Sequence, residues 1–315
     1  MNPSTTPWHL GPLTGYDCET TGVNVETDRI VTAAIIDHQP GLEDGPGELW
    51  LANPGVDIPA ETTAVHGITN EQAINHGQPA AQVVAEISQH LADRITANIP
   101  IVAMNARFDL TILDRECRRH QLPTLEQLLG RPVAPVVDPL ILDKHVDTYR
   151  KGSRKLEVLA QHYGATLTDA HTANADAIAA VHVAVAIGAR YPDLHMPAGE
   201  LHDLTIKWAA AQAENFQAYK RRTQPGFIAD IVWPVVPWQD PVSILRGEYT
   251  AMRTVIVGHL AEALLDGSSS EVRSWARGIA YELGVAGVNI DADIEAFAQR
   301  RTPGAPPLQP SQHPF

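Results

Sequence analysis

Asp17 and Glu19 stand two residues apart at the end of a strand-like stretch, and two further acids, Asp109 and Asp176, each fall near the start of a helix-like stretch. Strand side chains alternate, so Asp17 and Glu19 share one face while Cys18 points into the other. The turn Thr20-Thr21-Gly22 follows, offering hydroxyls and main-chain N–H groups. Side-by-side carboxylates repel and push one another's pKa up unless a cation lies between them. A strand end and two helix starts are positions that can converge at one edge of a central sheet. Such a set suits two hard divalent ions about 4 Å apart, flanking a scissile phosphate.

His171 comes five residues before Asp176. On a regular helix that offset puts the two on different sides, so the histidine is expected in the preceding loop. A histidine of near-neutral pKa is a natural general base for water.

The elements around these residues read as a mixed α/β sheet with helices packed on it. Tyr16–Thr20, Arg29–Asp37 and Glu48–Ala52 read as an antiparallel meander, with the glycine-rich segment 41–47 as one connection. Thr69-Asn70-Glu71-Gln72 is a capping box opening a short helix. Pro79 opens a second, with Val83, Val84, Ile87 and Leu91 on one face. Pro100–Asn105 reads as a buried strand, Phe108–His120 as a helix, and Pro135–Leu142 as another strand. Ser153 is placed to cap a helix ending near Gly164, and a long helix follows from about Ala173 to Arg190.

Beyond Tyr191 the character changes. Leu201–Arg222 is helical, and Thr223–Pro241 is too rich in proline to be one helix. Ile244–Leu265 and Glu271–Leu283 read as amphipathic helices, and 301–315 as a proline-rich, disordered tail. The expected organisation is a catalytic domain over 1–195, a helix and Pro/Trp-rich connector over 196–240, a small, mainly helical region over 241–300, and the tail.

The charge of −14 argues against a protein that coats nucleic acid, which needs a basic surface. Basic residues do cluster at Arg115, Arg118 and Arg119, at Arg150, Lys151, Arg154 and Lys155, and at Lys220, Arg221 and Arg222. Two cysteines give no disulfide framework, and neither a signal-like segment nor a bilayer-length apolar run is present. A cytoplasmic setting and no membrane role are expected.

The motifs Asp17-Cys18-Glu19-Thr20-Thr21-Gly22, Asn105-Ala106-Arg107-Phe108-Asp109 and His171 to Asp176 resemble the DEDDh class of 3′–5′ exonucleases, as do Asn53-Pro54-Gly55 and Val65-His66-Gly67-Ile68-Thr69. The likeness is strongest to DnaQ-like proofreading (epsilon) subunits of bacterial DNA polymerase III and spans roughly residues 12–190. It implies a ribonuclease H-like fold. Asp17, Glu19, Asp109 and Asp176 would hold two Mg²⁺ or Mn²⁺ ions, and His171 would deprotonate the attacking water. Thr20, Thr21, Phe108, His66 and Asn105 would contact the terminal nucleotide. The implied substrate is the 3′ end of single-stranded or frayed DNA, released as nucleoside 5′-monophosphates in proofreading or repair. RNA is the alternative, since the 2′-hydroxyl is discriminated by pocket shape. Met104 departs from the histidine common at that position, and Thr172 from arginine or asparagine. The C-terminal region is the feature behind a further alternative, a polymerase or replisome interaction protein with an accessory nuclease domain.

Overall fold

The computed structural model describes residues 6–45, 47–165 and 172–238. The helices expected at 244–265 and 271–283, the tail, and with them the partner-binding role lie outside the described residues, as does His171. The chain divides into two units, 1–237 and 238–315, and the first carries the fold described below.

β1 (Leu13–Thr20), β2 (Ile30–His38) and β3 (Glu48–Asn53) form the antiparallel meander. Two short helices follow, α1 (Ala60–His66) and α2 (Asn70–His76), then β4 (Gln78–Pro79) and α3 (Ala80–Thr96). Next come β5 (Ile101–Val102), α4 (Ala106–Arg119), α5 (Leu125–Leu129), β6 (Val136–Val137) and α6 (Pro139–Val146). The described part ends with α7 (Leu156–Tyr163), α8 (Ala173–Arg190) and α9 (Ala198–Lys220). The sheet order is β4-β3-β2-β1-β5-β6, with β5 and β6 parallel to β1. This is the ribonuclease H-like mixed sheet.

Alternation along β1 divides two cores. Tyr16 and Cys18 pack with Val83, Ile87 and Leu91 of α3 and with Leu110 and Leu113 of α4. Leu13 packs on the other face with Ala180, Val181 and Ala184 of α8. The expected α2 capping box is present, Thr69 accepting from Gln72 N–H and Gln72 from Thr69 N–H. The expected bounds of α8 hold.

Three expectations need correcting. Pro135–Leu142 is not one strand: only Val136–Val137 pair with β5, and Asp138 then caps α6 with Pro139 in its first turn. The strand over Pro100–Asn105 shortens to Ile101–Val102, because Asn105 adopts a left-handed conformation (φ 63°) that breaks it. Ser153 does not cap α7 directly; Lys155 is the N-cap residue, and the Ser153 hydroxyl accepts from its N–H at 3.1 Å.

The segment after α8 packs on the same body. α9 lies against α6 and β6. The chain then returns so that Trp233 enters the core beside His202. Arg107 donates to the Asp230 carbonyl at 2.7 Å, and Thr111 Oγ1 accepts from Val236 N–H at 3.1 Å. Among the described residues no helix is long and apolar enough to cross a membrane.

Candidate active site

The site forms at the C-terminal ends of β1 and β5, the usual ligand edge of an open α/β sheet. Asp17 and Glu19 face α8, and a register shift between Glu19 and Thr20 ends the regular pairing there. α8 rests directly on β1. A Cβ at Gly15 would lie 2.8 Å from the Ala177 carbonyl oxygen and 2.8 Å from Val181 Cγ2, so only glycine permits this approach. The contact sets Asp176, in the first turn of α8, over the β1 pair. Asp17, Glu19 and Asp176 each present a carboxylate oxygen, all within 4.8 Å of one another. Carboxylates so placed are able to hold a divalent metal ion.

Asp109 arrives from the other side, in the first turn of α4. Its Oδ1 accepts from the Cys18 N–H at 3.2 Å and lies 3.2 Å from Cys18 Sγ. Burial and then the neighbouring charges of Asp109, Glu19 and Asp176 hold the Asp17 carboxyl well above the ordinary carboxylate range. Burial and the Asp176 charge push Glu19 up to about 7. Asp109 is also raised to about 7, by burial, although the Cys18 hydrogen bonds oppose the shift. A cation among these groups removes the repulsion, so the donor set fits metal ions.

Sequence reasoning missed Asp138. Fully buried, it accepts from the N–H groups of Asn105 (3.1 Å), Ala106 (3.0 Å) and Leu140 (3.0 Å), and from Trp233 Nε1–H at 3.4 Å. It thereby pins the left-handed turn that launches α4 and sets where Asp109 falls. Burial raises its carboxyl to about 6 against these hydrogen bonds. The pair Asp138-Pro139 was the available signal, an N-cap acid followed by proline at the first helical position. Asp138→Ala strands these donors, and an unsatisfied buried donor costs about 1–3 kcal/mol. We expect a stability loss of at least that size in urea melts, with Asp138→Asn losing less.

The expected substrate contacts fall in different settings. Thr20 donates to the Gly22 carbonyl at 2.6 Å, and Thr21 Oγ1 accepts from Arg29 N–H at 3.0 Å. Both threonines are buried with their hydroxyls engaged in shaping the turn. His66, buried at the end of α1, accepts at Nδ1 from Ile68 N–H at 3.1 Å. Its Nε2 is buried without a well-formed hydrogen bond. Burial lowers its pKa, and the Thr20 main chain beside it partly opposes that. The Asn105 side chain is exposed, and Phe108 is partly buried against the core. Both line a cleft of about 590 Å³ with Lys144, Phe216, Phe227 and Trp233.

The arginine clusters are largely committed internally. Arg115 is buried, pairing with Glu26 and Asp114 at 2.8 and 2.7 Å and donating to the Val236 carbonyl. Arg118 pairs with Asp114, and Arg119 with Glu116. Arg150 and Arg154 converge on the fully buried Asp143, which also accepts from the Tyr163 hydroxyl at 2.9 Å.

The geometry agrees with what the chain is similar to. A family model described as RNase_T exonuclease matches residues 14–184, more than half of the chain. The PolC-type DNA polymerase III of Streptococcus thermophilus is 31% identical over 164 residues, 51% of this chain and 10% of that protein. A DNA polymerase III subunit epsilon-like protein of Rhodobacter capsulatus is 33% identical over 170 residues, 52% of this chain and 22% of that protein. This chain thus spans only about a tenth to a fifth of the length of these relatives. Among solved structures, exonuclease I superposes with a TM-score of 0.51 at 22% identity, covering 59% of this chain and 42% of that one. Escherichia coli exonuclease I in complex with a dA16 oligonucleotide gives a TM-score of 0.50 at 21% identity, with 59% and 42% coverage. These two share the fold. With its DEDD-type arrangement of motifs on that fold, the chain belongs to the RNase_T exonuclease family.

Proposed function

We propose that this protein is a metal-dependent 3′–5′ exonuclease of the DEDDh class, removing nucleoside 5′-monophosphates from single-stranded or frayed DNA 3′ ends. The observation that carries the reading is the convergence of Asp17, Glu19 and Asp176, with oxygens within 4.8 Å of one another and Asp109 close behind. So many desolvated acids in one place are costly without cations.

Asp17, Glu19, Asp109 and Asp176 would hold two divalent ions, Mg²⁺ or Mn²⁺. When bound, such ions activate water and stabilise charge on the attacking and leaving oxygens of an in-line displacement. His171 takes the proton of the attacking water on its imidazole. Asn105 and Phe108 orient the terminal nucleotide at the mouth of the cleft, and Thr20, Thr21 and His66 support it from the β1 side. The cleft's aromatic lining and Lys144 suit the nucleotides that precede the terminus, since bases stack on aromatic rings with little sequence preference.

The test is degradation of matched 5′-labelled single-stranded DNA and RNA with Mg²⁺, Mn²⁺ or EDTA. A metal-dependent ladder shortening from the 3′ end is expected, with DNA cut faster. Faster cutting of RNA would move the assignment to an exoribonuclease. No cleavage of either strand would overturn the reading. His171→Ala is expected to lower turnover by on the order of 10²-fold or more, as loss of a general base does. An unchanged pH–rate profile in that variant would remove the role from His171.

A further inference from the structure

A second cluster of metal-binding groups lies apart from the carboxylates. His38 closes β2, Asp44 comes from the β2–β3 loop, and His182 projects from the middle of α8. His38 Nδ1 lies 2.7 Å from Asp44 Oδ1, and His182 Nε2 lies 2.6 Å from Asp44 Oδ2. The two imidazoles meet edge to face, their centroids 5.9 Å apart. One donor atom from each of the three residues falls within 4.8 Å of the others. Leu13 of β1 pairs with His38, and Asp17 of β1 pairs with Ala34 of β2. The cluster is therefore four residues along the strand from the catalytic edge, about 13 Å away.

We propose that His38, Asp44 and His182 form a three-ligand site for a borderline transition-metal ion, with zinc as its natural occupant. Two imidazole nitrogens and one carboxylate oxygen are a donor set that hard Mg²⁺ does not seek and Zn²⁺ does. Zinc takes these donors at about 2.0–2.2 Å in a tetrahedron, whose edges are then roughly 3.3 Å. The two His–Asp separations, 2.7 and 2.6 Å, are shorter than that edge, and all three donors lie within 4.8 Å of one another. An opening of the cluster by less than about 1 Å therefore admits an ion, with a fourth position left for water. The partly exposed side chain of His182 provides the entry side.

The loop around Asp44 is built to lie close. Gly47 has φ +71°, and a Cβ there would collide with the Ile36 side chain and approach the Ile35 carbonyl oxygen to 3.0 Å. A bound ion would tie residues distant in sequence, Asp44 and His182, to the end of β2. It would thereby fasten α8 six residues beyond Asp176. The site is independent of the exonuclease assignment and does not stand or fall with it.

The experiment measures zinc retained by the full-length protein after dialysis in excess Mg²⁺, which keeps the carboxylate cluster supplied with its own ions. His38→Gln, His182→Gln and the conservative loop variant Asp44→Asn are compared with the parent and with Asp17→Asn. Expected are one zinc per parent chain, none in the three cluster variants, and full retention in Asp17→Asn. Zinc should also raise the melting temperature of the parent and of Asp17→Asn but not of the three cluster variants, and Co²⁺ in the parent should give a visible absorption band lost in Asp44→Asn. Absence of zinc from the parent, or its loss only in Asp17→Asn, would overturn the proposal. So would variants that melt lower than the parent by an amount indifferent to zinc, which is the behaviour of a hydrogen-bonded His–Asp–His cluster and nothing more.

Discussion

Asp17→Asn is expected to abolish nucleotide release, by on the order of 10³-fold or more, while leaving the metal-free protein at least as stable as the parent. The first effect follows from the role proposed for the group. Charge stabilisation by a metal ion is worth several kcal/mol, and each 1.36 kcal/mol of barrier is tenfold in rate. The second follows from the surroundings. Asp17 is held well above the ordinary carboxylate range by burial and by Asp109, Glu19 and Asp176. Asparagine keeps the shape and is neutral like the protonated acid, so it avoids the desolvation and repulsion that an ionised Asp17 meets there. Activity and stability therefore move in opposite directions, which a residue kept for packing does not do. Rates on a labelled oligonucleotide and thermal melts in EDTA near neutral pH read the two effects. A near-parental rate, or a melt several degrees below the parent, would sink the assignment.

The contrast between Asp17 and Asp138 shows which parts of this site are legible in a sequence. Asp17 and Glu19 are readable because strand alternation fixes their common face. Asp109 and Asp176 are readable because each opens a helix that its neighbours announce, and the bounds of α8 match the apolar pattern from Ala173 to Arg190. Asp138 escapes because Val136, Val137, Ile141 and Leu142 are all buried, and their run looks like one strand. Its value lies in three main-chain N–H groups, two of them more than 30 residues away in sequence. Periodicity carries no such information. α1 escapes for a different reason. Among its seven residues only His66 is buried, so no apolar face marks it. The arginines at 115, 118 and 119 look like a surface patch until Glu26, Asp114 and Glu116 are brought to them by the fold. The return of Trp233 to the core is likewise a tertiary event that the Pro/Trp-rich composition does not announce.

Added Mg²⁺ or Mn²⁺ is expected to stabilise the protein strongly at about pH 8 and hardly at about pH 5.5. Without ions, Glu19 and Asp109 each titrate near 7 in the folded chain, above their ordinary values of 4.5 and 3.8. Between those values the folded chain binds more protons than the unfolded one, so stability falls as pH rises through 7. The contribution of these two groups is complete below their unfolded pKa values and lost above the folded ones. Ions reverse this at the alkaline end, because they bind the deprotonated carboxylates and screen them from one another. At acidic pH the same ions must displace protons, and each displaced proton costs about tenfold in affinity per pH unit. An ion present at about 100 times its dissociation constant adds about 2.7 kcal/mol. For a domain of this size that is a rise in melting temperature of roughly 5–10 °C. The comparison is a set of melts at the two pH values with and without Mg²⁺, repeated on Asp17→Asn, where the alkaline shift should largely disappear. Equal shifts at both pH values would show that the ions bind elsewhere on the protein. No shift at either would show that the four carboxylates do not hold them in the absence of a nucleic acid strand.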